Sequence, residues 1–140
     1  MRPASIIWFE RLFLLSLLLG LGNAILSFDS AVALVEADPV MAEMGWSGGF
    51  VMGVVAFSLG IPLLLTYLIA RRASVVAKWV LVALVAIGFL MISFDTENML
   101  SLANIGSAVA ALLQLVAVTL LFRRDAVEWL GKPKGANPAA

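Results

Sequence analysis

Four long apolar runs, separated by short polar or charged interruptions, set the pattern of this chain. The first, Leu12 to Phe28, is about 17 residues long, and Trp8 and Phe9 extend it to the ~20 that a helix needs to cross about 30 Å of hydrocarbon. The others cover about 48–70, 75–94 and 99–122, so the pattern predicts four membrane-spanning helices at 8–28, 48–70, 75–94 and 99–122. Between the first two runs the chain is acidic yet keeps Val32, Leu34, Val35, Val40, Met41 and Met44. That mixture predicts an amphipathic segment over about 30–45 on the outer interface, broken near Pro39. Residues 131–140 have the Gly, Pro, Lys and Ala content of a flexible tail.

Charge then orients the spans. Arg2 and Arg11 precede or open the first run, Arg71, Arg72 and Lys78 lie between the second and third, and Arg123, Arg124, Lys132 and Lys134 follow the fourth. The other two connections carry only acids: Asp29, Glu36, Asp38 and Glu43 in one, Asp95 and Glu97 in the other. Lysines and arginines accumulate on the cytoplasmic side of membrane proteins, which predicts both termini inside. A secretory signal ending near Gly22-Asn23-Ala24 is the competing reading of the first run, but cleavage there would leave an odd number of spans.

Composition agrees with lipid as the main solvent, since 63% hydrophobic and 13% charged residues could not cover a water-exposed surface. The formal net charge of zero hides a separation of basic from acidic residues across the bilayer, and the bases come as flanking pairs instead of one patch. Nucleic acid is therefore not an expected partner. Without cysteine or histidine, disulfides, thiol nucleophiles, imidazole catalysis and the usual zinc sites are excluded. No nucleophile and base can be paired, and neither an enzyme nor a cofactor is expected.

Small residues recur at helical spacing: Gly49, Gly53, Ala56 and Gly60 in the second span, Ser16, Gly20 and Ala24 in the first, and Ala103, Ser107 and Ala111, with Ala110 beside them, in the fourth. Lipid tails are as apolar as leucine, so membrane helices associate by close backbone approach, and such stripes are contact faces. They serve packing within one bundle or docking of another copy or another membrane protein. Asn23, Thr66 and Gln114 lie at membrane depth, where an unpaired amide costs a few kcal/mol, so Gln114 is expected to bond Asn23 or a backbone carbonyl, or to line a polar path. Pro62 predicts a kink in the second span.

Asp29 and Asp95 occupy matching outer ends of the first and third spans. They could share a hard cation, although capping of the following helix is the simpler reading and no metal is assigned. A shift of 66 residues superposes Ser27-Phe28-Asp29-Ser30 on Ser93-Phe94-Asp95-Thr96, which raises a parallel duplication of a two-helix hairpin. Glu10 and Arg11 are expected to pair with Lys78, Arg123, Asp125 or Glu128. Residues Arg123 to Trp129 are expected to continue the fourth helix onto the inner surface, and Arg71, Arg72, Arg123 and Arg124 to meet anionic headgroups.

The opening Arg2-Pro3 with Ser5-Ile6 and Phe9-Glu10, the connection Ile69-Ala70-Arg71-Arg72-Ala73-Ser74 with Ala77-Lys78-Trp79, and the ending Leu121-Phe122-Arg123-Arg124-Asp125-Ala126 with Trp129 resemble small four-span bacterial inner-membrane proteins of unknown function. The resemblance implies a bacterial inner membrane and brings no catalytic residues. The expectation is an all-α membrane four-helix bundle over 1–130. It would act through lateral contacts with lipids and with other membrane subunits or itself, as an accessory or assembly subunit or a homo-oligomer. The alternative is a small dimeric channel or transporter.

Overall fold

A computed structural model describes residues 1–91 and 102–132, except the side chain of Ala103. Every regular element among them is helical: α1 Ala4–Leu26, α2 Phe28–Ala37, α3 Pro39–Glu43, α4 Gly48–Arg72, α5 Val75–Leu90, α6 Leu102–Leu120 and α7 Arg124–Leu130. Helices α1 and α4 are each long and apolar enough to cross a membrane. The bent pair α6 and α7 adds a third candidate if it counts as one span, whereas α5, at 16 residues, is shorter than a straight crossing needs.

Helix α1 is the hub, packing most extensively on α6, next on α4, and at its N-terminus on α7. Helix α5 leans on α4 and barely touches α6. The core gathers at one end: Ile6, Phe9, Ile69, Leu81 and Leu121 are fully buried there with Phe13 nearly so, and Ala126 and Leu130 of α7 close it from below. Phe9 and Phe13, four apart on one face of α1, bring their ring centroids to 5.6 Å. Apart from this cluster, the buried apolar side chains among the described residues are Val51 and Ala110.

The chain departs from continuous helix where its chemistry allows. The stretch expected to break near Pro39 does so at Asp38, whose Oδ1 accepts the amides of Val40 and Met41 at 2.9 and 3.2 Å while Pro39 takes the first position of α3. Helix α4 runs unbroken through Pro62. It ends with Ala73 in the left-handed region, φ 48°, as the Ser74 amide donates back to the Leu68 carbonyl at 3.3 Å. The expectation that α6 continues through Arg123–Trp129 is corrected. The amides of Leu121, Phe122 and Arg123 donate three residues back, to Val118, Thr119 and Leu120, the chain extends at Arg123, and α7 leaves at 69°. That bend drops Ala126 and Leu130 into the core while Arg123 and Arg124 stay exposed.

Candidate functional site: an open helix face and a polar cleft

The small-residue stripes divide into two kinds. Those of α1 and α6 are used inside the molecule. Ser16 is buried with its hydroxyl donating to the Phe13 carbonyl at 2.6 Å, a Cβ on Gly20 would meet Leu59 of α4 at 3.7 Å, and a Cβ on Gly106 would meet the Asn23 oxygen at 3.9 Å. Ala24, Ser107 and Ala111 are half-buried on the same seam, and Ala110 is buried. The stripe of α4 is not used this way. Gly49, Gly53, Ala56 and Gly60 are all exposed, and a Cβ on any of the three glycines would find no heavy atom within 4 Å. Packing inside one bundle therefore does not explain that stripe among the described residues. Met52, Val54 and Phe57 around it are exposed as well, Phe57 by 69%. Other faces of α4 are covered: Val32 and Phe28 of α2 approach Gly48, Trp46 stacks on Phe50 at 4.1 Å, Val51 is buried, and Leu59 lies against Gly20 of α1.

A second feature opens where α5 diverges from α6. Gly20 and Asn23 of α1, Gly88 of α5, and Gly106, Ser107 and Gln114 of α6 line a cleft of about 250 Å³. Asn23 donates from Nδ2 to the Ser107 hydroxyl at 3.0 Å, which ties α1 to α6 through polar groups. The expected bond between Gln114 and Asn23 is not made: Asn23 bonds Ser107, and Gln114 lies two helical turns, about 10 Å, further along α6. The half-buried Gln114 amide has no hydrogen-bond partner among the described residues and is left facing the cleft. Thr66 behaves differently: it is buried, and its hydroxyl donates to the Pro62 carbonyl at 2.7 Å within its own helix.

The end of the molecule that holds the core carries the charge chemistry, with partners other than those expected. Glu10 receives Arg2 at 2.6 Å and Arg71 at 3.7 Å, drawing the start of α1 to the end of α4. Arg11 instead lies over the Trp8 ring at 6.0 Å. Lys78 is nine-tenths buried, with Nζ 4.2 Å from the Phe122 ring centre and 5.5 Å from that of Trp79. Asp125 accepts both the amide and the hydroxyl of Ser5 on one oxygen, at 3.3 and 2.7 Å. It thereby satisfies a free donor in the first turn of α1 across 120 residues of sequence and complements that helix's positive end. The Ser5 hydroxyl bond holds the Asp125 carboxyl below its ordinary pKa. No local motif announces this pair.

Arg71, Arg72, Arg123 and Arg124 are all exposed, and Arg71 lines an open groove between α1 and α4 with Leu14, Gly60, Leu63 and Leu64. Asp29 is exposed in the first turn of α2 and does not cap it; Ser27 holds the cap position without a side-chain bond, because α2 begins one residue after α1 ends. Asp95, the matching half of the proposed duplication, and the outer turn around it lie outside the described residues. Among the described residues no group of three or more acidic, histidine or cysteine side chains is placed to hold a metal ion.

No family model, curated protein or solved structure matches the chain.

Proposed function

We propose that this chain is a four-span protein of the bacterial inner membrane, with both termini cytoplasmic, that works through lateral helix contacts. In this reading it is an accessory or assembly subunit of a larger membrane complex, or a homo-oligomer. The open stripe Gly49, Gly53, Ala56 and Gly60 carries the reading. Glycine costs helix stability relative to alanine, by about 0.5–1 kcal/mol per position, so three on one exposed face are a cost that monomer packing does not return. Close approach of another helix returns it, through van der Waals contact along a backbone stripped of side chains. The basic residues sorted to one side support the topology, with α5 in the third crossing.

The cleft beside Gln114 favours a second reading, a small dimeric channel or transporter for an ion or polar solute. Against it, the hydroxyls of Ser16 and Thr66 are spent on their own helices, so the polar groups form an isolated patch and no line across the molecule. Extraction in mild detergent followed by native mass determination separates the readings. A fixed partner or a stable oligomer that is lost in Gly53→Leu supports lateral contact. A dimer that moves ions in liposomes supports transport, and a monomer that does neither contradicts both.

A further inference from the structure

We infer that the cleft between α1, α5 and α6 binds the head group of an uncharged lipid-soluble molecule carrying a carbonyl or hydroxyl oxygen. The inference is independent of the lateral-contact reading. Three observations converge. Among the described residues no charged side chain lines the cleft, so a charged head would find no counter-charge among them. Gln114 presents an amide that can both donate and accept and that no described residue engages, at the depth where an unmade hydrogen bond is most costly. The cleft is about 250 Å³, below the usual 300–1,000 Å³ of sites that enclose a whole drug-sized molecule. It suits a single ring or a glycerol unit, with the attached chain outside.

The opening also fits. Gly88 and Phe89 on the α5 wall are exposed, Phe89 by 46%, and α5 hardly meets α6, so the mouth faces sideways, where lipid tails would lie. Glycines on three helices, Gly20, Gly88 and Gly106, keep the floor and walls free of side chains. Val85 and Phe89 supply apolar contact, and the Asn23–Ser107 bond fixes the far end.

Gln114 is the only glutamine in the chain, so glutamine-selective ¹⁵N labelling yields a single side-chain amide pair that reports directly from the cleft. The full-length protein in nanodiscs at about pH 8.5 is titrated with a decyl-substituted benzoquinone, which offers only carbonyl acceptors, with 1-decanoylglycerol, which offers hydroxyls, and with decanoate, which stays charged at that pH even with its pKa raised by the bilayer. A saturable shift of the Gln114 amide by at least one neutral probe, without one by decanoate, is expected, and the stronger binder identifies a quinone-type or glyceride-type head. Gly88→Leu, which adds a side chain where nothing stands within 4 Å, should abolish the shift while the amide signal remains. If that variant does not fold, Ala111→Leu fills the same space. No shift with either neutral probe, an equal shift with decanoate, or a shift that survives the filling variant overturns the inference.

Discussion

The two halves of α4 differ in how they meet their surroundings. From Leu65 to Ala70 the helix buries Leu65, Thr66, Ile69 and Ala70 against α1 and α5, and Arg71 joins the Glu10 pair just beyond. From Gly49 to Gly60 the same helix shows glycines, alanine and large apolar side chains to open space. The Leu65–Ala70 half is a finished interface made of bulky side chains. The Gly49–Gly60 half packs through Val51 and Leu59 on its other faces, while its small-residue stripe has no heavy atom of the described residues beside it. A helix that completes its packing at one end and leaves a small-residue face at the other holds its own fold with the first and offers the second.

That contrast is sharpest at paired phenylalanines. Phe9→Ala, which empties a fully buried site, should cost about 3–5 kcal/mol in thermal unfolding followed by circular dichroism in mild detergent. Phe57→Ala on the open face should stay within about 0.5 kcal/mol in the same assay. Equal losses would erase the distinction between the halves. Gly53→Leu should raise monomer stability by up to about 1 kcal/mol, by removing a helical glycine, yet weaken association by about tenfold or more, read as the loss of the higher-mass species in native mass spectra. At the junction of the halves' shared helix with α5, Ala73→Gly should stabilise the fold by about 1 kcal/mol, because glycine adopts the left-handed conformation without a Cβ penalty. Asn23→Ala should cost about 0.6 kcal/mol, the usual worth of a polar contact between membrane helices, and should loosen α1 from α6 only near the cleft.

The smallest expected effect is one of pH. The folded Asp125 carboxyl has a depressed pKa, so its contribution to docking α7 on α1 is present above the unfolded carboxyl's pKa and is lost as pH falls through the lower folded value. In a variant retaining Trp129 as its only tryptophan, acidification should shift the fluorescence over that window, and Asp125→Asn should remove the transition.

The helical character of the chain follows from its long apolar runs, and Asp38-Pro39 announces its own break. The pairings were not legible, because burial of a membrane helix leaves no amphipathic trace when lipid and core are equally apolar. Gly49–Gly60 and Ser16–Ala24 are indistinguishable as strings, yet one is open and the other packed. Glu10 could have chosen any of several bases on the same side, and only the approach of α4 to α1 selects Arg71. The Ser5–Asp125 cap depends on a bend after Leu120 that no glycine or proline marks.

Because the chain contains no cysteine, single cysteines can be placed at will. Oxidative cross-linking in native membranes of Ala56→Cys, on the open face of α4, against Val116→Cys, exposed by 51% on α6, is the most direct measurement. A discrete cross-linked species from Ala56→Cys, with none from Val116→Cys, is the predicted result. Equal yields at the two positions would contradict the assignment of that face to lateral contact, and none at Ala56→Cys would contradict its use between copies of the chain.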